Sequence, residues 1–378
     1  MDISFKLDPE VLIGSDTISM AGTIASRHGS RIMVAADHGL DAQLINRLKE
    51  ILEDSGLEAI IFDGIEENSP VEMAENIIAL SCAAHCDAII GFGGYKAQII
   101  ARMAAIMAPM RLTAFELLDG RNYQKKILPL ISIPTQGMDV FSLTDYFIAV
   151  DSRNKQLKTI KSPENLYTAV IIDSSLFNFL SSPGAAAIVI ESFFFALESY
   201  CSTKANFLSD AVLEKALNFY IKLLRSGTNG INAEAAVTFA QANFLSVVGS
   251  SVSSPGVGAA LSAAINARSS AAKPLCSAAL FPVIAERLVS ARPEKMARIA
   301  SFLSNTKAAS VAEAASSAVD SIRRTISALN VPLNLNEFSI SLDYLTAAAE
   351  AARNLDFVTN SPWTVSEEEV FKILKGIL

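Results

Sequence analysis

Residues 87–96 have the sequence DAIIGFGGYK, in which an apolar run leads through three glycines into a stretch of helical periodicity. The apolar run predicts a buried strand, and the periodicity predicts a helix over residues 97–108. Glycine lets a ligand approach backbone N–H groups closely, and the start of a helix favours an anion. The pattern therefore predicts an α/β fold with a candidate phosphate-binding turn, although such a turn is also common structural punctuation.

Strand and helix patterns alternate on both sides of this turn. Short apolar runs predict strands over residues 31–36, 59–63, 128–134, 146–150 and 169–172, and helical periodicity predicts helices over 43–55 and 71–82. Strands that alternate with helices form a mostly parallel sheet. We therefore predict an α/β domain of the dinucleotide-binding type over residues 1–180.

Alanine-rich helical patterns replace this alternation in the second half of the chain. They predict helices over residues 185–201, 210–225, 233–248, 258–267, 275–291, 293–303, 311–329, 342–353 and 366–378. Ser366 and Glu369 have the spacing of a capping box at the start of the last helix. A chain of 378 residues exceeds the usual size of a single core. The prediction is an all-helical second domain over residues 181–378.

Composition narrows the classes of partner and the compartment. The net charge of -8, with no cluster of basic and aromatic residues, argues against nucleic-acid binding. The uncharged stretch 235–267 contains many Ser, Asn, Gln and Gly residues and Pro255, so we expect buried helices there and no membrane span. Four scattered cysteines and the lack of a signal-like N-terminus predict a cytoplasmic protein.

Common catalytic motifs do not match the chain. The glycine turn fails the GxGxxG fingerprint because Lys96 stands where the third glycine would be, and GxxxxGK, HExxH and GxSxG are all missing. Cys82, His85 and Cys86 lie at a helix end, and the chain has no second group of candidate metal ligands to complete a site with them. They therefore predict no metal site. Asp37, at the end of a predicted parallel strand, is a candidate ribose ligand, and a plain turn aspartate is an equally good interpretation.

Four stretches, taken in order, resemble one protein family. They are VAADHGL at 34–40, FDGIEEN at 62–68, CDAIIGFGG at 86–94, and ALESY at 196–200 with KANFLSD at 204–210. The chain resembles the iron-containing (group III) alcohol dehydrogenases, which have the dehydroquinate synthase-like fold, over roughly residues 13–282. The resemblance implies an α/β domain followed by an all-helical domain, with a small-molecule ligand in the cleft between them.

The resemblance also implies where a nicotinamide nucleotide would bind. In that family a GGGSxxDxAK turn holds the cofactor pyrophosphate; here Tyr95 replaces the third glycine and Lys96 the serine. Two further replacements put Ile99 at the aspartate and Arg102 at the lysine. The candidate ligands of NAD or NADP that the resemblance implies are Asp37, Asn68, Gly93, Gly94, Lys96 and Thr135.

The family's metal ligands are replaced in this sequence. An Asp and a His of the family, aligned on residues 196–200, fall at Glu191 and Phe195. Three later family histidines fall at Ala259, Ala263 and Lys273, or in a register shifted by two at Leu261, Ile265 and Leu275. The three histidines of the chain, His28, His38 and His85, all precede the helical half. Neither register supplies a ligand, so we predict no metal ion.

Glu191 and Lys273 are the candidate catalytic residues at these positions. Lys273 could stabilise an alkoxide as a fixed cation, or the two side chains could form a compensating ion pair in place of the metal. By resemblance the function is NAD(P)-linked alcohol and aldehyde interconversion, and the replaced ligand residues predict that it does not depend on a metal. The alternatives are an inactive family member that acts as a binding or scaffold protein, and a different reaction on an anionic substrate through Lys96 or Lys273. A homodimer, or a hetero-oligomer with a relative, is the expected assembly.

Overall fold

A computed structural model describes residues 5–121, 127–177, 184–226, 233–303, 308–335, 340 and 342–377. The described residues form two compact units, the first drawn from Met1–Asp139, Asp145–Asn154 and Lys158–Phe179, the second from Val140–Thr144, Lys155–Leu157 and Leu180–Leu378. The first unit is α/β and the second is helical, which confirms the predicted fold class. The predicted boundary between residues 180 and 181 lies outside the described residues and stays a prediction.

The first unit contains a six-stranded sheet in which every pair of neighbouring strands is parallel. In chain order the strands are β1 (Glu10–Gly14), β2 (Arg31–Asp37), β3 (Glu58–Ile65), β4 (Ala88–Gly93), β5 (Leu130–Pro134), β6 (Tyr146–Asp151), β7 (Gln156–Lys161) and β8 (Tyr167–Asp173). The sheet order is β1-β8-β5-β4-β2-β3, and β6 with β7 forms a separate two-stranded sheet. Strand β4 is thus central, and all six of its residues are buried.

Two of these strands are missing from the sequence-based prediction. Strand β1 lies at the edge of the sheet, its residues are half-buried or exposed, and its apolar run is only three residues long, from Val11 to Ile13. Strand β7 carries Lys158 between its buried Leu157 and Ile160 and ends at the exposed Lys161. Polar residues separate its two apolar residues, so the strand shows no apolar run.

Helices pack against the sheet of the first unit. They are α1 (Ala21–Ala25), α2 (Ala42–Asp54), α3 (Met73–Ala83), α4 (Tyr95–Met107) and α5 (Ala114–Leu118). One apolar core joins Leu48 and Leu52 of α2 to Val34 and Ile90 of the sheet. Helix α4 directly follows the glycine turn, and residues 97–107 are all buried. Because the sheet is covered on its faces, its strands read as continuous apolar runs.

Described helices of the second unit match the nine predicted from periodicity. They are α6 (Ala185–Cys201), α7 (Phe207–Ser226), α8 (Ala233–Ser253), α9 (Val257–Asn266), α10 (Lys273–Ala291), α11 (Pro293–Leu303), α12 (Val311–Ala328), α13 (Leu342–Arg353) and α14 (Glu367–Lys375). The side chain of Ser366 accepts a hydrogen bond from the Glu369 N–H at 3.2 Å, as the capping pattern predicts. Helix α7 begins three residues before its predicted start at Asp210.

Helices α8 and α10 are long and apolar enough to cross a membrane by length and composition alone. Half or more of the apolar stretch in each helix is buried inside the fold. Such burial is usual for a core helix in a globular unit. The cytoplasmic location inferred from the sequence stays a prediction.

A buried carboxylate caps helix α9. Glu198 of α6 accepts hydrogen bonds from the N–H groups of Gly258 at 2.8 Å and Ala259 at 2.9 Å. Ser361 accepts the preceding N–H, that of Val257, at 2.9 Å. A Cβ on Gly258 would lie 2.3 Å from the Phe194 ring, so glycine permits α6 and α9 to approach this closely. Burial raises the pKa of Glu198 to about 7, although its backbone donors oppose the rise.

Glu198→Gln removes this titration and keeps an acceptor oxygen. Between pH 4.5, the ordinary pKa, and about 7, the folded chain binds a proton that the unfolded chain has lost. The stability from this proton is complete below pH 4.5 and is lost as pH rises through the folded pKa of about 7. We expect the unfolding free energy of the wild type to fall by roughly 3 kcal/mol relative to the variant over this window. Urea denaturation at a series of pH values measures it, and parallel pH profiles would contradict the role of Glu198.

Candidate functional site

The glycine turn of the first unit is shaped around an acidic side chain. Gly93 ends β4 with a φ of +154°, a conformation that favours glycine. A Cβ on Gly93 would lie 2.5 Å from Oδ2 of Asp37, and a Cβ on Gly94 would lie 2.7 Å from Oε1 of Gln136. The φ of Gly93 and the closeness of Asp37 favour glycine at position 93, and Gly94 leaves room for the Gln136 side chain over the turn.

Asp37 reaches the turn because β2 and β4 are parallel neighbours. The register pairs Ala36 with Phe92, so the carboxyl end of β2 lies beside the start of α4. The Asp37 carboxylate accepts a hydrogen bond from the Gly94 N–H. Burial raises the pKa of Asp37, the N–H groups of Gly94 and Ala97 oppose that rise, and the charge of Glu67 adds to it. The first turn of α4 thus holds an internal carboxylate.

Thr135, Gln98 and Ser132 complete the surroundings of the turn. The Thr135 N–H donates to the Gly93 carbonyl oxygen at 3.2 Å. Gln98 of α4 donates from Nε2 to the carbonyl oxygens of Gly91 at 2.9 Å and Gly93 at 3.3 Å. Ser132 holds the other end of that carboxamide, donating from Oγ to Oε1 at 2.8 Å. These bonds fix the carbonyl side of the turn.

Gln98 and Arg102 are buried polar neighbours of the turn; motif reasoning missed Gln98 and noted Arg102 only as a replacement of the family lysine. They are the two polar residues in the otherwise apolar stretch from 97 to 107 and lie four apart, so they share one face of α4. Arg102 is buried, bonds the Tyr167 hydroxyl, and lies 4.0 Å from the Asp139 carboxylate. Its guanidinium also lies 5.5 Å from the Phe147 ring centroid. Lone polar residues on an apolar helix face were the available signal, since buried polar groups are nearly always bonded.

The structure therefore brings together Asp37, Gly93, Gly94 and Thr135 of the predicted nucleotide ligands. Asn68 lies in the turn after β3 and is exposed, next to Glu67. Lys96 lies in the first turn of α4 and is half-buried. The role of each as a nucleotide ligand stays a prediction.

Glu191 and Lys273 form an ion pair in the second unit. The Lys273 ammonium Nζ lies 3.4 Å from Oε1 of Glu191, and the two side chains are 12% and 15% exposed. The same ammonium lies over the Phe195 ring, 5.1 Å from its centroid. Since Phe195 is one helical turn beyond Glu191 on α6, one face of that helix holds the lysine through a charge and an aromatic ring.

Two buried serines support this ion pair. Ser277, one turn beyond Lys273 on α10, donates from Oγ to Oε1 of Glu191 at 2.8 Å. Ser262 of α9 shares a hydrogen bond of 2.6 Å with Ser277. The carboxylate is thereby fixed from α9 and α10, while its own backbone lies on α6. Sequence reasoning missed both serines, because a serine inside a helix carries no motif.

The side chains at these positions do not fit a metal ion. Of Glu191, Phe195 and Lys273, the carboxylate alone has a lone pair to offer, since a protonated amine and a phenyl ring have none. Protein sites for zinc and divalent iron use three or four nitrogen, sulfur or oxygen donors. Within the part of the chain that the structure describes, no group of three or more His, Cys, Asp or Glu side chains is arranged to hold a metal.

Family models match both halves of the chain. Residues 8–174 match the model described as iron-containing alcohol dehydrogenase. Residues 185–378 match that of the Fe-containing alcohol dehydrogenase family, C-terminal. A 1,3-propanediol dehydrogenase of Citrobacter freundii is 23% identical over 368 residues, which cover 96% of this chain and 95% of that protein.

Solved structures share the fold over the whole length. A 1,3-propanediol oxidoreductase is similar with a TM-score of 0.92 and 22% identity, covering 100% of both chains. Sulfoacetaldehyde reductase from Bifidobacterium kashiwanohense, determined in complex with NAD+, is similar with a TM-score of 0.85 and 16% identity, covering 100% of this chain and 99% of that one. At these identities the likeness shows the fold.

Lys273→Met tests how much the ion pair stabilises the second unit. The substitution leaves the Glu191 carboxylate mostly buried without its ammonium, so we expect the unfolding free energy to fall by about 3 kcal/mol. Urea denaturation measures the change. Lys372→Met, which breaks the exposed pair with Glu368, is the matched control and should change stability little. Equal effects of the two substitutions would show that burial of the Lys273 pair does not matter.

Proposed function

The chain belongs to the iron-containing alcohol dehydrogenase family, and we propose that it is a nicotinamide-nucleotide-linked oxidoreductase that interconverts an alcohol and an aldehyde without a metal ion. The observation that carries the proposal is the match of both family models across both units, combined with a glycine turn that has Asp37 at its side. The relatives support the reaction class: a dehydrogenase of 1,3-propanediol and a reductase solved with NAD+ share the fold.

The first unit supplies the residues that fit a nucleotide. Gly93 and Gly94 keep the backbone of the turn free of side chains, and the turn opens a helix of 13 residues. Asp37 stands at the carboxyl end of a parallel strand, where such folds place an acid that accepts hydrogen bonds from a ribose. When bound, the nicotinamide supplies or accepts the hydride. For a nucleotide to use the turn, the Asp37 carboxylate exchanges its bond from Gly94 for bonds from the ribose hydroxyls.

The second unit supplies the positive charge for a substrate oxygen. Reduction of an aldehyde places negative charge on its oxygen, and stabilising that charge is usually a large part of catalysis. The family's metal is not used in any step here, because the side chains at its positions do not fit one. Lys273 is the candidate for this role, since its ammonium is held by Glu191 and is partly exposed.

Nucleotide binding is the first test. We expect NADH and NAD+ to raise the Tm of the full chain, because a ligand at a hundredfold excess over its Kd stabilises the folded state by about 2.7 kcal/mol. Differential scanning fluorimetry measures the shift, with adenosine as the control for binding of the base alone. Aldehyde-dependent loss of NADH absorbance, with propionaldehyde and 3-hydroxypropionaldehyde as first substrates, then tests turnover. No shift with any nicotinamide nucleotide would contradict the proposal.

A second test concerns the choice between NAD and NADP. The carboxylate of Asp37, with Glu67 nearby, favours a ribose 2′-hydroxyl and repels a 2′-phosphate. We expect NADH to bind more tightly than NADPH, and Asp37→Asn to narrow the ratio of the two Kd values by roughly tenfold, or 1.4 kcal/mol. Isothermal titration calorimetry measures both constants. Asp63→Asn, an exposed acid on β3, is the control, and an equal narrowing there would point to net charge alone.

A non-catalytic binding or scaffold role is the second candidate. It is favoured by two internal contacts: Asp37 already bonds the glycine turn, and the Lys273 ammonium already pairs with Glu191. A chain that binds NADH with no turnover of any aldehyde or alcohol would support this candidate over the first. The assembly expected from sequence, a homodimer or a hetero-oligomer with a relative, remains part of this proposal.

A further inference from the structure

Three side chains of the second unit converge on one point. Glu191 and Phe195 lie one turn apart on the same face of α6, and Lys273 begins α10 opposite them. The Lys273 Nζ lies 3.4 Å from a Glu191 oxygen and 5.1 Å from the Phe195 ring centroid. The point on which residues 191, 195 and 273 converge is therefore the position of an ammonium group.

The groups around this point attract a cation, and the Lys273 ammonium is that cation. A carboxylate and the face of an aromatic ring both attract positive charge. The ammonium supplies that charge through a covalent link to the chain. A divalent ion at the same point would find a single carboxylate as its donor and would meet the positive charge of Lys273.

The carboxylate is also held in place for its partner. Ser277 donates to the same oxygen, Oε1, that faces the ammonium, and Ser262 bonds Ser277 in turn. Both serines are buried. A hydrogen-bonded carboxylate keeps its orientation, as the outer-shell partners of metal-ligating carboxylates do. The support expected around a metal ligand is thus present around an ion pair.

We propose that Lys273 is a built-in cation that takes the place of a divalent metal ion, and that the chain binds no metal at the point where residues 191, 195 and 273 converge. The proposal rests on the metal-free part of the proposed function and is independent of nucleotide binding. Its tests use no nucleotide, so a failure to bind NADH would leave their outcome unchanged.

The first test measures metal in the wild-type chain. The full chain is expressed with added iron and zinc, and its metal content is measured by mass spectrometry. We expect a substoichiometric content, the same Tm with and without EDTA, and no visible absorption bands on titration with Co²⁺. One metal ion per chain whose removal by EDTA lowers the Tm would overturn the proposal.

The second test installs a metal site at the same point. Phe195→His with Lys273→His places two imidazoles beside Glu191 and removes the ammonium, which creates the donor set of a two-histidine, one-carboxylate site. We expect this variant to bind one Co²⁺ per chain, seen as visible absorption bands and a rise in Tm. A folded double variant that binds no Co²⁺ would show that the three side chains do not converge, and would overturn the proposal.

Two matched variants sharpen this second test. Phe195→His alone retains the Lys273 ammonium, so it should bind no Co²⁺, and binding as tight as that of the double variant would overturn the role of Lys273. Ser277→Ala, added to the double variant, frees the Glu191 carboxylate and should weaken Co²⁺ binding by about tenfold or more. If the double variant does not fold, the EDTA and metal-content results on the wild type still decide the proposal.

Discussion

The N–H groups in the first turn of a helix have no backbone carbonyl partner within that helix. A buried helix start therefore needs hydrogen-bond acceptors from other residues. Among the described helices, the starts of α4 and α9 are two that find carboxylate acceptors on other elements. Asp37 of β2 serves α4, and Glu198 of α6 serves α9. Each bond ties together elements that are distant in sequence, and each demands glycine at the contact, Gly93 in the first case and Gly258 in the second. The strand-to-helix turn of one unit and the α6–α9 packing of the other both depend on this requirement.

The charges of the two candidate sites follow a common pattern. The glycine turn, which the family resemblance associates with an anionic phosphate, holds the anionic side chain of Asp37. The positions that it associates with a metal cation hold the cationic side chain of Lys273. In each case the chain supplies a group with the charge sign of the ligand expected there. The difference is that the proposed nucleotide would require Asp37 to exchange its donor for ribose hydroxyls, whereas the Lys273 ammonium is linked covalently to the chain.

Sequence patterns predicted the helices and strands that are marked by buried apolar residues. The helices α6, α11 and α13 have the predicted bounds. Strand β1 escaped prediction because its apolar run is only three residues long, and β7 because Lys158 separates its two apolar residues. The pairing of Glu191 with Lys273 followed from the family alignment, since the two residues are 82 positions apart. Ser262, Ser277 and Gln98 could not be predicted, because a single polar residue inside a helix has a role only once its neighbours in space are known.

Glu191, at a position where the family has a metal ligand, forms an ion pair with Lys273 in this chain. An isolated buried carboxylate is costly, so a chain that lost the metal and kept the acid would lose stability unless another cation replaced the ion. A lysine at position 273 provides that cation, and a ring at position 195 provides an apolar wall that also attracts it. The three residues are linked by contact, because the Glu191 carboxylate and the Phe195 ring both attract the Lys273 ammonium. The Glu191 carboxylate thus has a structural role as the partner of the Lys273 ammonium, which lies 3.4 Å from it.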